Sequence, residues 1–181
     1  ILNLNQLFKK KFKLTDGQIK KYYDANLNEF KEIYKNIELV TLSPQNLING
    51  DEYNEIFFDK LDDIDNSIAQ GENLNDIIKK YNLKKPYTFI LNERGENIKS
   101  QKIQELPDGL IKYIFSISET EPTALIELKE KYYIVQVNKT EDIKKNLENP
   151  NVRKKIINQL ENQNKRKIIS EIISKINQNN F

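Results

Sequence analysis

The sequence predicts an α+β fold: a small, mostly antiparallel four-stranded sheet with surrounding helices, flanked by N- and C-terminal helical arms. Three observations predict it. Short segments alternate apolar and polar residues or run β-branched, at 37–43, 87–91, 124–128 and 132–137. Between them, apolar residues recur at helical spacing. The last thirty residues carry Val152, Ile156, Leu160, Ile168, Ile172 and Ile176 at multiples of four, which places them along one stripe of a long helix. The order is strand, helix, helix, strand, helix, strand, strand, and it suits helices segregated around an antiparallel sheet.

The elements follow in sequence. Leu2, Leu4, Leu7, Phe8 and Phe12 form a first apolar segment interrupted by the lysines at 9–11. Thr15 is a helix N-cap, and Gln18 three residues later completes a capping box, so that two orphan backbone donors are satisfied together. Ile19, Tyr22, Tyr23 and Phe30 continue at helical spacing. The strand at 37–43 stops at Pro44, which cannot donate to a ladder. Ile56, Phe57, Leu61, Ile64 and Ile68 predict one buried helical stripe ended by Gly71, and Asn73 caps a short helix carrying Leu74, Ile77, Ile78 and Tyr81. After Pro86 comes a strand, then a turn at Glu93-Arg94-Gly95-Glu96. Leu106-Pro107 opens a helix with Leu110, Ile111, Ile114 and Phe115. A tight hairpin near Glu130-Lys131 joins the last two strands, without the Gly or Asn such turns prefer. Pro150 after Asn149 starts the closing helix. One apolar stripe on so long a helix requires a docking partner, and the amphipathic N-terminal segment is the nearest.

Composition narrows the function classes. Of 181 residues, 29 are Lys or Arg and 27 Asp or Glu, so the chain has no basic footprint for nucleic acid. There is no Cys and no His, which excludes a zinc site and a Cys/His nucleophile. No cofactor and no metal are expected. Asp59, Asp62, Asp63 and Asp65 lack the Gly and terminal Glu of a calcium loop and read as a solvated helix face. The 9–11 lysines beside Leu7, Phe8 and Phe12 read as a basic helix end, with contact to anionic lipid as the rarer alternative. No run of about 18 apolar residues crosses a bilayer. Ile1 in place of an initiator Met is expected of a fragment or a processed product, and any membrane anchor would lie outside these residues.

Leu14-Thr15-Asp16…Ile19…Tyr22-Tyr23…Asn26…Phe30, leading straight into the 37–43 strand, resembles the linker helix of the SurA/PpiD-like folding factors, which carry parvulin-type (rotamase) peptidyl-prolyl isomerase domains. Downstream, Gly71…Leu74…Ile77-Ile78…Tyr81 is similar to the family's "G-x-x-F-x-x-L-A" helix. Leu106-Pro107…Ile114-Phe115-Ser116-Ile117 resembles "L-P…A-F-x-L". Glu121-Pro122-Thr123 stands at "G-E-I-S", and the 132–137 strand at "G-Y-H-I-I-K-V". The resemblance covers about residues 14–139 and implies three regions. These are an N-terminal arm and linker helix at 1–36, a parvulin-like domain at 37–141, and a closing helix at 142–181 that packs with the N-terminal arm.

Where the family has its two histidines this chain has Leu39 and Tyr133. The resemblance therefore implies a degenerate isomerase, a chaperone-type module whose catalysis is lost. It would bind unfolded or newly translocated polypeptide in the periplasm through an apolar groove lined by Leu39, Leu106, Leu110 and Tyr133. At Leu39, Leu110 and Phe115 plain core is the commoner role for such residues, while Tyr133 is balanced between core and groove. Two alternatives stay open. Rotation about an imide crosses a barrier of roughly 20 kcal/mol without breaking a bond, so an atypical groove lacking His could still be an active isomerase. The chain could instead be a structural interaction domain whose amphipathic arms dock a partner. Oligomeric state is not predicted.

Overall fold

A computed structural model describes residues 13–178, and the expectations for the apolar segment and lysines at 1–12 lie outside the described residues. Two compact units divide the chain, one made of residues 13–32 with 144–178 and the other of residues 33–143.

In the first unit, α1 (Asp16–Ala25) opens on the Thr15–Gln18 capping box. A 3₁₀ turn at Leu27–Phe30 follows. Ile19, Tyr23 and Phe30 pack on Val152 and Ile156 from the first turns of α6 (Pro150–Asn177), whose N-terminus Asn149 caps. Polar contacts fix this packing at its edges. The Tyr23 hydroxyl donates to the Lys145 carbonyl at 3.0 Å, Arg153 pairs with Asp16, and the buried Lys145 ammonium pairs with Glu32 at 2.7 Å. The stripe foreseen along α6 is buried only at its start. Leu160, Ile168 and Ile172 are half-buried, and Ile173 and Ile176 are exposed among the described residues.

The second unit is built on a four-stranded antiparallel sheet in the order β2-β1-β4-β3. Strand β1 (Lys31–Leu42) pairs with β2 (Tyr87–Asn92), with Tyr34 opposite Asn92 and Leu39 opposite Tyr87. Strand β3 (Thr123–Leu128) pairs with β4 (Lys131–Lys144), with Thr123 opposite Gln136 and Leu128 opposite Lys131. Side-chain alternation splits the core into two layers. Leu39, Tyr133 and Val135 face α5 (Asp108–Ser116), whereas Val40, Leu42 and Ile134 face α3 (Glu55–Ala69) and α4 (Leu74–Tyr81).

Several boundaries differ from the sequence pattern for physical reasons. Strand β1 begins six residues before the predicted 37, through a stretch that reads as polar. Lys35 falls on the α5 side of the sheet there and is 6% exposed, because its ammonium donates to the carbonyls of Ile114, Phe115 and Ile117 at 3.1, 3.4 and 2.7 Å. Pro44, expected only to stop a strand, is also the first residue of the single-turn α2 (Pro44–Leu47), capped by Ser43 and Asn46 in a reciprocal pair. Ile56 is 60% exposed and leaves the predicted α3 stripe. The inward positions are Phe57, Leu61, Ile64 and Ser67, one step of about 100° away. The β3–β4 turn is Lys129-Glu130, both at positive φ (51° and 60°), the backbone that matches strand twist in a two-residue hairpin.

Candidate functional site

The four residues expected to line a groove come together in one cluster. Leu39 projects from β1 and Tyr133 from β4, on the same side of the sheet, while Leu106 and Leu110 come down from the start of α5. None is more than 5% exposed, and Leu91, Ile111, Ile114 and Val135 complete the packing around them. Their arrangement is a packed layer beneath α5. Burial of an apolar side chain of this size stabilises the fold by about 1.5–3 kcal/mol, and these residues hold α5 to the sheet.

The chemistry available in that layer is limited. Burial is the main reason the Tyr133 hydroxyl is pushed above the usual tyrosine range, so it stays a neutral phenol near neutral pH. Burial likewise lowers the Lys35 ammonium, partly offset by the field of Glu119, and its ring neighbour is Phe115 at 5.4 Å. Three carbonyl acceptors at the end of α5 make Lys35 a C-terminal cap, a favourable place for a cation against the helix dipole. No proton donor or acceptor tuned near neutrality stands among the four residues.

Open surface lies at the margins of the sheet. Along β2 runs a groove of about 500 Å³, whose apolar wall is Phe89, Ile90, Ile98 and Ile103 and whose polar wall includes Asn97, Lys99, Gln101 and Glu105. Tyr87 is 64% and Ile98 49% exposed, and the Tyr87 and Phe89 rings stack with centroids 6.5 Å apart. Phe89 and Ile103 also pack against the cluster that contains Leu39, Leu106, Leu110 and Tyr133. The loop bordering this groove is set by Asn92, whose Oδ1 accepts from the backbone N–H groups of Arg94 and Glu96 at 3.0 Å each. Gly95, at φ +71°, allows the turn to pass Ile111; a Cβ there would sit 2.2 Å from the Ile111 Cδ1.

A second apolar surface lies at the other margin. Tyr53, Phe57, Phe58 and Tyr132 form a ring cluster with centroid separations from 4.9 to 6.2 Å. Beside it, a cavity of about 340 Å³ opens between α3 and β3. A third cavity, of about 600 Å³ beside α5, is lined by charges of both signs, among which Lys102 pairs with Asp108 at 2.7 Å.

Sequence pattern missed both marginal surfaces. Phe58 and Tyr87 carry the only local signal, as large apolar residues that break the register of an inward stripe or sit first in a strand. Among the described residues, no three acidic side chains converge as a metal site, and no helix is long and apolar enough to cross a membrane. No family model, curated protein or solved structure matches this chain.

Proposed function

We propose that this chain is a non-catalytic, parvulin-like chaperone module that binds extended or unfolded polypeptide in the periplasm, with the β2 margin as its capture surface. The observation that carries the reading is the groove along β2, with its apolar wall of Phe89, Ile90, Ile98 and Ile103. That strand is at the edge of the sheet, contains no charged residue, and is bordered by exposed Tyr87 and Ile98. Edge strands present unpaired N–H and C=O groups, and soluble proteins ordinarily protect them with charge, proline or a bulge. Along Tyr87–Asn92 no such charge intervenes.

An extended client would add a strand to β2, its backbone supplying hydrogen bonds and its alternate side chains entering the groove over Phe89 and Ile103. Sequence preference would be weak, because Phe89, Ile90, Ile98 and Ile103 would hold apolar side chains by non-directional burial, while Lys99 and Glu105 present charges of both signs. No bond is made or broken. The order of elements supports a parvulin-like architecture, and Leu39 and Tyr133 in the positions of the family's histidines support a loss of catalysis. Tight packing of these two with Leu106 and Leu110 supports it as well, since twisting an imide needs an open pocket around the proline ring.

The test pairs two assays on the same protein. Suppression of aggregation of a chemically unfolded client is expected, together with no acceleration of a proline-limited peptide. Tyr87→Asp and Ile98→Asp alter exposed side chains and should abolish the first activity without unfolding the chain. Acceleration of the Xaa-Pro peptide by the wild type would overturn the non-catalytic reading, and unchanged client binding in both variants would overturn the β2 surface.

A further inference from the structure

The opposite margin of the sheet has a different chemistry. Strand β3 is the other edge strand, and residues 124–128 make no backbone hydrogen bond outside the β3–β4 ladder among the described residues. Beside it, α3 runs close enough to enclose the 340 Å³ cavity. Its apolar wall is Phe58, Leu61, Leu125 and Tyr132, and its polar wall is Asp62, Asp65 and Glu127. No basic residue lines it. Among the described residues no cation pairs with any of the three carboxylates, although Lys60 on the same helix pairs with Asp63. The hairpin residues Lys129, Glu130 and Lys131 stand beyond the lining.

We propose that this groove is a second docking site, for an extended segment that carries a basic, an apolar and a basic residue at every second position and pairs with β3 as an added strand. Its spacing follows from the two walls. Same-face residues of a strand are about 6.8 Å apart, so a partner strand can set one apolar side chain over Leu61, Leu125 and Tyr132 and a Lys or Arg on either side of it. Glu127 follows Leu125 on the same face of β3, and Asp62 and Asp65 lie one turn apart on α3, so the carboxylates border the apolar floor from two directions. Three carboxylates without a paired cation around an apolar floor favour a cationic partner and repel an acidic one, which is specificity by charge on top of backbone pairing. The same negative field is felt by Tyr132, whose hydroxyl is raised first by burial and then by Glu127.

The experiment titrates the chain with two eight-residue peptides, a Leu/Lys peptide that places Lys, Leu and Lys at every second position with Thr between them and a Leu/Glu peptide with Glu in place of Lys, by calorimetry and by amide exchange. The Leu/Lys peptide is expected to bind at least tenfold more tightly, to weaken as salt rises, and to protect amides of residues 124–128. Asp62→Asn with Asp65→Asn and Glu127→Gln should remove that tenfold preference. Equal binding of the two peptides would overturn the proposal. So would Leu/Lys binding that survives the triple variant but is lost in Tyr87→Asp, because the peptide would then occupy β2. If the triple variant does not fold, the wild-type peptide preference and the location of amide protection still decide, and protection of 87–91 in place of 124–128 overturns the β3 site.

Discussion

Two six-residue edge strands, β2 and β3, close the same sheet and offer the same row of backbone groups, yet their surroundings differ. Strand β2 is itself uncharged, and its groove joins Ile98 and Ile103 with the opposite charges of Lys99 and Glu105; β3 carries Glu127 and lies beside Asp62 and Asp65 over an apolar floor. Each margin leaves a row of backbone groups open, and the neighbouring elements determine the chemistry beside it. A loop held by Asn92 and Gly95 walls one margin, and a helix flank walls the other. On the readings proposed above, the first takes extended apolar segments and the second basic ones.

The largest expected effect falls most heavily on the β2 side. Gly95→Ala places a Cβ 2.2 Å from Ile111 in a backbone region costly for any side chain, and should destabilise the second unit by about 3 kcal/mol. Urea unfolding measures it. At temperatures where the variant remains folded, client capture at β2 should suffer more than Leu/Lys peptide binding at β3; equal losses would mean that the two margins are one cooperative surface.

Lys35→Met comes next. It removes the Lys35 donor from the Ile114, Phe115 and Ile117 carbonyls, of which Ile114 keeps the Ile117 N–H, at a cost of about 2 kcal/mol. The sign of its pH dependence follows from the lowered Lys35 value. Across the window between that value and about 10.4, the unfolded chain binds more protons than the folded one, so the wild type gains stability relative to the variant as pH rises. A difference that shrinks with pH would contradict the burial of a charged amine.

On the β3 side, Glu130→Gly should stabilise by about 1 kcal/mol, because Glu130 holds φ +60° in the hairpin turn at no packing gain. Thermal unfolding reads the shift, and Leu/Lys peptide binding should be unchanged, since Glu130 is outside the groove lining. The smallest effect concerns Tyr133. Its raised hydroxyl value contributes stability that is complete below the unfolded tyrosine value, about 10, and is lost as pH climbs through the folded one. Tyr133→Phe should flatten that alkaline loss, measured as unfolding midpoint against pH from 9 to 11.

Much of the fold was legible in the sequence because its signals are local. Thr15 with Gln18, Asn73, and Asn149 before Pro150 mark helix starts through hydrogen bonds to residues two or three positions away, and each cap forms in the structure. The length of β1 was not legible. Lys35 reads as solvent-facing until α5, some eighty residues later, brings three carbonyls to it. The candidate groove residues were legible as a set that converges, since alternation puts Leu39 and Tyr133 on one side of the sheet. Their depth was not, because it depends on how closely Leu106 and Leu110 settle on that side.

By itself, then, the sequence determined the α+β class, the order of strands and helices, most of the caps, and the absence of histidine and cysteine chemistry. All of these follow from residue type or from interactions within a turn or two. Tertiary structure alone decided which strands are edges, that the four candidate residues pack beneath α5, and that grooves open at the two margins. Edges and grooves are properties of what a segment lacks beside it, and no local pattern encodes an absent neighbour.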